Sequence, residues 1–333
     1  MQIKSMDIEE IINGLIWAQY DFLLKVKSVG VLPEYKGSLI RGAFGSELKK
    51  MSCVMPKNKS CLNCAVNDSC IYAKTFESVN EPPKTDKFLS NTNHIPHPFI
   101  IRDNTNMRQS YVHDDDFKFQ FVLISKNYID KLPYYIFAFK NAFENGVGMG
   151  RKIKMTLHSV DVNNKDEICK VYDGEKEKID KTYKEKYYKS DDIINKSKLI
   201  HSNRLTIEFI SPTRLNSEKK EQNINFKTFI TSILRRLSGI ASNYFNKDVK
   251  IDAKEFLKEA EEVKTEAEAL TWYDWERKSA RQGKIIKMGG LKGQIKFTGS
   301  AIAKYLPLIK LGEHFHIGKW TAFGMGQYVV RDY

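Results

Sequence analysis

The chain has 333 residues, of which 41% are hydrophobic, enough for two domains of about 150 residues with buried cores. Lys and Arg number 54 against 41 Asp and Glu, so the net charge is +13. This surplus favours a polyanionic partner, either nucleic acid or an acidic membrane surface, with a generally basic proteome as the alternative. No run of about 18 apolar residues occurs, which excludes a transmembrane helix, and the acidic start lacks an apolar signal core. We therefore expect a cytoplasmic protein with reduced cysteines.

The first half of the chain predicts the element order β-α-β-β-α-β from its hydrophobic periodicity. In order, these elements are the strand QYDFLLKVKS, a helix in PEYKGSLIRGAFGSELKK, the strands HPFIIR and FKFQFVLIS, a helix from near Pro133 to Gly146, and the strand KIKMTLHSVDV. Residues 51–90 lack such periodicity and contain a cysteine cluster.

The second half is interpreted as a second unit of the same type, and five of its six elements are predicted after a charged segment. Residues 163–200 are rich in Lys, Asp, Glu and Asn, which predicts an exposed linker or mobile hairpin. The pattern then resumes with the strand RLTIEFI, an amphipathic helix at 225–245, the strand KGQIKFTG, a short helix ending at Gly312 and a strand at 327–331.

We therefore predict an α+β fold of two tandem ferredoxin-like domains. The first domain is assigned to residues 1–162, with a four-cysteine insertion at 51–90, and the second to residues 201–333. Residues 163–200 form the charged linker between them.

The tripeptide Gly-Met-Gly occurs at residues 148–150 and again at 324–326. Each copy follows a predicted helix and precedes a predicted strand, so both mark the same connection in two equivalent domains. The second copy ends a segment, GEHFHIGKWTAFGMGQY, that also carries two histidines, a lysine and aromatic residues. Glycine-rich backbone offers N–H groups to phosphates, and aromatic side chains stack on unpaired bases. We therefore expect the second turn to be functional and the first to be mainly structural.

Four segments together resemble the CRISPR repeat-processing endoribonucleases of the RAMP superfamily. They are YKGSLIRGAFG, SPTRLN followed by a helix with LRRLSGIA, GGLKGQIKFTG, and LGEHFHIGKWTAFGMGQY. The resemblance runs in order along most of the chain and extends to the branch with a four-cysteine insertion after the first helix. It implies two ferredoxin-like (RAMP/RRM-like) domains and metal-independent cutting of precursor crRNA within its repeats. The implied partner is CRISPR repeat RNA, and the implied assembly is a CRISPR effector complex or a homodimer, with no membrane association.

Cutting RNA without a metal needs a base for the ribose 2′-OH, an acid for the leaving 5′-oxygen and a cation for the phosphorane. The products are a 2′,3′-cyclic phosphate and a 5′-OH. Histidine suits proton transfer because its pKa lies close to working pH, and lysine suits the cation. We predict His316 as base or acid and Lys319 as phosphate stabiliser. His314 is a second candidate, with packing or passive RNA binding as the alternative role for both histidines.

The first domain offers a weaker catalytic signal. Several members of the resembled family place a histidine near the first helix, but no histidine precedes His94 in this sequence. Tyr35 is the candidate that this region supplies. The missing histidine favours the alternative function, a RAMP subunit that holds guide RNA in an effector complex without cutting it. An unrelated iron–sulfur DNA-binding protein is a further alternative.

The predicted RNA-binding set consists of loop glycines, one aromatic residue and basic side chains. The glycines and the aromatic residue are included because the glycine-rich loop of the resembled family contacts RNA. The basic residues are included because such side chains contact phosphates. The set comprises Gly312, Gly318, Trp320, Gly324, Gly326, Arg41, Arg235, Arg236, Arg277, Arg281 and Lys284. For Arg235 and Arg236 a solvated helix face is the alternative. Arg277, Arg281 and Lys284 lie in a basic segment that predicts an RNA-gripping hairpin.

Cys53, Cys61, Cys64 and Cys70 lie within 18 residues with the spacing C-x7-C-x2-C-x5-C. The C-x2-C pair suits a tetrahedral structural zinc, and an iron–sulfur cluster is the alternative with the same ligand count. Four thiolates leave no open coordination position, so no cofactor is expected to take part in catalysis.

Overall fold

The computed structural model describes residues 8–55, 60–78, 95–164, 167–215, 224–278 and 285–333, which fall into two compact units. The N-terminal unit comprises Ile16–Glu81 and His97–Tyr188. The C-terminal unit comprises Met1–Leu15, Pro82–Pro96 and Lys189–Tyr333. Within the described ranges, no helix is both long and apolar enough to span a membrane.

The helices are numbered in chain order: α1 Ile8–Ile12, α2 Gly37–Ser52, α3 Ile71–Thr75, α4 Lys126–Ile129, α5 Leu132–Glu144, α6 Ser190–Lys198, α7 Phe226–Phe245, α8 Ala253–Phe256 and α9 Ile302–Phe315. The strands are β1 Ile16–Val26, β2 Gly30–Val31, β3 Phe99–Asp103, β4 Ser110–Tyr111, β5 Asp116–Ile124, β6 Met155–Asn164, β7 Glu167–Asp173, β8 Lys178–Ile179, β9 Tyr188–Lys189, β10 Arg204–Thr213, β11 Lys264–Tyr273, β12 Glu276–Lys278, β13 Ile285–Lys287, β14 Gly290–Thr298 and β15 Tyr328–Asp332.

The N-terminal unit is built on an antiparallel sheet with the order β3-β5-β1-β6-β7-β8. The predicted order β-α-β-β-α-β is observed as β1-α2-β3-β5-α5-β6. An aromatic core joins the helices to the sheet, since Phe44 of α2 stacks on Phe139 of α5 at 4.6 Å and Phe119 of β5 lies 5.0 Å from Phe139. Such ring pairs stabilise the fold by more than the burial of their apolar area alone would.

The C-terminal unit contains a second antiparallel sheet with the order β11-β14-β10-β15. Its long helix α7 buries the predicted apolar stripe, and Phe229 packs 5.1 Å from Tyr328 of β15. The Asn225 side chain caps this helix by accepting a hydrogen bond from the Thr228 N–H at 2.8 Å. Helix α9 continues three residues beyond the predicted end at Gly312.

The charged segment 163–200, predicted as a linker or mobile hairpin, carries β7, β8 and α6. Val171 and Tyr172 of β7 are buried although their neighbours in sequence are charged. At α6, the Ser190 hydroxyl accepts a hydrogen bond from the Leu15 N–H at 2.9 Å. A few apolar residues and one buried hydroxyl thus give a polar segment regular structure.

Candidate nucleic-acid interface

The segment between α9 and β15, residues 316–327, forms a closed loop that we call the glycine loop. His316 ends α9 with a positive φ of 57°, and its N–H bonds to the Gly312 carbonyl at 3.0 Å. The two ends of the loop are joined because the Ile317 N–H donates to the Gly326 carbonyl at 2.9 Å.

The glycine loop is attached to the end of β10, where the sequence reads SPTR. The Gly326 N–H donates to the Pro212 carbonyl at 3.1 Å, and the Lys319 N–H donates to the Arg214 carbonyl at 3.0 Å. The Ser211 hydroxyl donates to a loop carbonyl, that of Gly324, at 2.8 Å. These bonds fix the loop backbone against a sheet strand, and a rigid element positions a binding site better than a free loop does.

Glycine is required in this loop by close backbone contacts as well as by positive φ angles. A Cβ on Gly318 would lie 2.3 Å from the Arg214 carbonyl oxygen, and one on Gly326 would lie 1.8 Å from the Ile317 carbonyl oxygen. Gly324 has a φ of +85°. Gly312 serves a different purpose, because it is buried inside α9 and a Cβ there would lie 2.1 Å from the Tyr328 hydroxyl. Gly312 therefore serves the packing of α9 against Tyr328.

His316, predicted as the base or acid, is completely buried, with 0% of its surface exposed. Its Nδ1 lies 3.1 Å from the Met325 carbonyl oxygen, which can only accept, so Nδ1 carries the proton. This bond spans the glycine loop and holds its two arms together. His314 is half-buried in the last turn of α9. Of these two histidines, His314 is therefore the one with surface exposed to solvent.

The exposed face of the glycine loop carries charge and an aromatic ring. Lys319 is exposed and Trp320 is half-buried. The guanidinium carbon of Arg214 lies 5.6 Å from the Trp320 ring centroid and 5.9 Å from that of Trp272 on β11. These distances are within the range of cation–π interactions. Neither Arg214 nor Trp272 was predicted as a site residue, although SPTRLN and the aromatic and basic run WYDWERK were visible signals.

Arg277, predicted to contact RNA, packs on the glycine loop. Its guanidinium carbon lies 4.8 Å from the Phe323 ring centroid, and burial lowers its pKa from the ordinary value. Within the described ranges, its buried Nε has no hydrogen-bond partner. Arg281 and Lys284 lie outside the described residues.

The adjacent arginines of α7 have different environments. Arg235 is exposed. Arg236 is buried, and its Nε donates to the Phe315 carbonyl at 3.0 Å, at the C-terminal end of α9. Burial lowers the pKa of Arg236 to about 10. Because Arg236 faces the interior, it supports the start of the glycine loop from within, and the structure does not place it on an RNA-accessible surface.

The candidates in the N-terminal unit are engaged within that unit. The guanidinium carbon of Arg41 lies 4.1 Å from the Phe76 ring centroid, and its Nη2 donates to His97 Nε2 at 3.0 Å. The His97 Nδ1 lies 2.7 Å from the Ser78 hydroxyl. Tyr35 is buried, with 6% of its surface exposed. Arg41 therefore has structural contacts within this unit, and Tyr35 is a buried residue of it.

The first Gly-Met-Gly copy lacks the surroundings of the second. Gly148 and Gly150 have φ angles of +84° and +71°. Met149 between them is 94% exposed, whereas Met325 in the second copy is buried. The bridge between Val147 and Ile153 closes this turn locally. The same tripeptide therefore makes an open turn in one unit and a packed loop in the other.

The four clustered cysteines are distributed over separate short elements. Cys53 follows the end of α2 and is exposed, Cys61 and Cys64 flank a short turn, and Cys70 caps α3. Burial raises the pKa of the Cys61 thiol, and the nearby Glu77 carboxylate and the Cys70 and Cys53 thiols raise it further. Among the residues that the structure describes, no group of three or more His, Cys, Asp and Glu side chains is arranged to hold a metal. The metal-binding prediction is therefore not supported.

Two family models match the chain in succession. Residues 15–184 match the model described as the AF_1859_N N-terminal domain, and residues 207–328 match CRISPR-associated endoribonuclease Cas6. A relative described as an uncharacterized protein from Archaeoglobus fulgidus is 24% identical over 303 residues, which cover 90% of this chain and 93% of the relative.

Solved structures resemble the chain in fold. A partial Cas6-RT-Cas1–Cas2 complex matches with a TM-score of 0.57 at 13% identity, covering 96% of this chain and 47% of that one. The chain therefore spans about half the length of that relative. Thermus thermophilus Cas6 matches with a TM-score of 0.51 at 12% identity, covering 95% of this chain and 99% of that one.

The N-terminal-domain match covers just over half of the chain, and the Cas6 match contains the whole glycine loop. The mixed helices and antiparallel sheets agree with the Cas6 structural neighbours. The chain belongs to the AF_1859_N family, and its segment 207–328, which carries the glycine loop, matches the Cas6 endoribonuclease model.

Proposed function

We propose that this protein is an endoribonuclease that cleaves CRISPR precursor RNA within its repeats. The observation that carries the proposal is the glycine loop, which lies in the Cas6-matched segment and presents Lys319 and Trp320 on a rigid backbone. A lysine beside an aromatic ring suits RNA, because the lysine binds phosphate and the ring stacks on an unpaired base.

The proposed architecture is a pair of tandem ferredoxin-like domains. Numbering only the β-α-β-β-α-β strands, the sheet orders β3-β5-β1-β6 and β11-β14-β10-β15 both read 2-3-1-4. Both sheets are antiparallel. A common strand order supports two copies of one fold, with the Gly-Met-Gly turn before the last strand of each copy.

The proposed reaction is attack of a ribose 2′-OH on the adjacent phosphate, leaving 2′,3′-cyclic phosphate and 5′-OH ends. We assign phosphorane stabilisation to Lys319, because it is the exposed cation of the loop. His314 is the candidate for proton transfer, since it is accessible to solvent. The buried His316 holds the loop through Met325 and acts as a positioning residue.

A second candidate function is a non-catalytic RAMP subunit that binds guide RNA in a CRISPR effector complex. The complete burial of His316 favours this alternative, because it removes one of the two candidate histidines from contact with RNA. Both functions use the same interface, and they differ in whether the RNA is cut.

The proposed partners are repeat RNA and other CRISPR proteins. The structural neighbours include a Cas6 product complex and a Cas6-RT-Cas1–Cas2 complex, which supports both classes of partner. A homodimer stays a prediction. Zinc or an iron–sulfur cluster at the four cysteines also stays a prediction, which metal analysis of the purified protein would test.

The test is cleavage of end-labelled repeat RNA in excess EDTA under single-turnover conditions, followed by analysis of the product ends. We expect one cut with a cyclic phosphate, slowed about 100-fold or more by Lys319→Ala and by His314→Ala. Lys264→Ala is the matched control, because Lys264 is exposed at the first residue of β11, whereas Trp272 lies near the other end of the same strand. Tight binding without cleavage would establish the non-catalytic alternative, and absence of binding would contradict both.

A further inference from the structure

We propose that Arg214, which lies within cation–π distance of Trp272 and Trp320, is a phosphate-binding residue that contacts the RNA backbone beside the glycine loop. This inference rests on the proposed function, because it names the contact through which that site holds RNA. The ligand class is the phosphodiester backbone of RNA, without base specificity.

The backbone of Arg214 is fixed by the glycine loop. Its carbonyl accepts the hydrogen bond from the Lys319 N–H, and Gly318 approaches so closely that a Cβ there would lie 2.3 Å from the same oxygen. Arg214 therefore cannot shift relative to Lys319 without displacing the loop. The two cationic side chains start from backbone positions that are locked together.

The Trp272 ring beside Arg214 is itself held in place. Its Nε1 donates to the Asp274 carboxylate at 2.8 Å. Gly289 packs against the indole, since a Cβ there would lie 2.9 Å from Nε1 and 3.0 Å from two ring carbons. A ring contacted by Gly289 and hydrogen-bonded at its edge is a rigid support for a guanidinium.

Aromatic neighbours suit a guanidinium that must bind phosphate. The planar group uses its faces for the aromatic rings, while its N–H donors lie in the plane and match two phosphate oxygens. Because the two rings restrict the side chain before RNA binds, less rotamer entropy is lost on binding. The guanidinium carbon lies 5.9 Å and 5.6 Å from the Trp272 and Trp320 centroids, so one cation has two aromatic neighbours.

The surroundings supply further positive charge. Lys319 is exposed on the loop, and Arg277 packs on Phe323 at 4.8 Å. The Asp274 carboxylate lies beside these cations and accepts a hydrogen bond from Trp272. Three cations around one loop fit a polyanion better than a single acidic or neutral ligand.

The test is the salt dependence of RNA binding, which counts phosphate contacts. Equilibrium binding of labelled repeat RNA is measured in EDTA over a series of salt concentrations. Loss of one phosphate contact lowers the magnitude of the negative slope of log K against log salt by about 0.7 to 0.9. We expect that decrease for Arg214→Ala, together with about tenfold weaker binding. Arg204→Ala is the control, because Arg204 is exposed at the other end of β10, and its slope should equal that of the wild type.

Two further variants separate charge from position. Arg214→Lys keeps the charge but loses the planar fork, so the slope should stay near the wild-type value while affinity falls. Trp272→Ala should weaken binding with little change in slope, because it removes the support and leaves the cation. If the wild-type protein binds RNA and folded Arg214→Ala has the same salt slope as the wild type, this inference is wrong and the proposed function is unaffected. Failure of the wild type to bind would overturn the proposed function and this inference with it.

Discussion

The two Gly-Met-Gly turns allow one substitution to be compared in two environments. Gly150 and Gly326 are the third residues of the two copies, with φ angles of +71° and +77°. Alanine at either position therefore adopts the same left-handed conformation, which costs roughly 1–2 kcal/mol. The surroundings differ, since the new Cβ would lie 3.6 Å from flexible Lys152 atoms at Gly150 but 1.8 Å from a backbone oxygen of Ile317 at Gly326.

The added cost at Gly326 comes from the hydrogen bonds that the backbone shift would break. The Ile317 N–H donates to the Gly326 carbonyl at 2.9 Å, and the Gly326 N–H donates to the Pro212 carbonyl at 3.1 Å. Each such bond contributes about 1 kcal/mol. We therefore expect Gly326→Ala to lower the free energy of unfolding by about 3–4 kcal/mol and Gly150→Ala by about 1–2 kcal/mol.

The assay combines urea unfolding with RNA binding for both variants. Gly150→Ala should bind repeat RNA as the wild type does, and Gly326→Ala should bind it weakly even at temperatures where it stays folded. Equal losses of stability in the two variants would refute the claim that backbone crowding sets the cost at Gly326. Wild-type RNA affinity in Gly326→Ala would refute the claim that the packed loop forms the binding surface.

Three further predictions concern stability and pH. Asn225→Ala should lower the free energy of unfolding by about 1 kcal/mol, because it removes the cap that bonds to the Thr228 N–H; a change near zero in urea unfolding would contradict this. Arg236→Met should cost about 1.5–3 kcal/mol and weaken RNA binding, because the Phe315 carbonyl loses a charged donor; unchanged RNA affinity would show that Arg236 does not position the loop. Burial raises the pKa of Asp21, so the folded state holds that proton more tightly than the unfolded chain. The wild type should therefore gain stability relative to Asp21→Asn as pH falls from about 7 to about 4 in urea unfolding, and a constant difference would contradict the shift.

Sequence periodicity was sufficient to predict the element order of the first half, because its apolar residues follow the strand and helix repeats closely. In the second half it did not predict β11, whose residues are mostly exposed and show no apolar alternation. The helical repeat of α7 also indicates that Arg236 is buried, which the sequence prediction did not take into account. Arg236 follows Ile233 by three residues and precedes Ile240 by four, so it lies on the apolar face of α7 and is buried with it. Arg235, one residue earlier, is turned away from that face and is exposed. The position of each arginine around the helix therefore predicts that Arg236 is buried and Arg235 exposed, although the two residues are of the same type and adjacent in the sequence.

Other features of the site depend on contacts between distant parts of the sequence. The buried His316 bonds through its ring to the Met325 carbonyl across the glycine loop, whereas residue type alone favoured a catalytic role. Arg214 meets Trp272 because β10 and β11 both flank β14 in one sheet. Local patterns carry no information on such pairs, whereas the strand order brings them together.

The central claim is that the second glycine turn, and not the first, contacts repeat RNA. The most direct test is ultraviolet crosslinking of repeat RNA to the protein in EDTA, followed by mapping of the modified peptides. We predict crosslinks in the segment that contains Trp320 and Phe323, lost on competition with unlabelled repeat RNA, and none at Met149. Crosslinks confined to the first turn, or absent from the glycine loop when the RNA is bound, would contradict the claim.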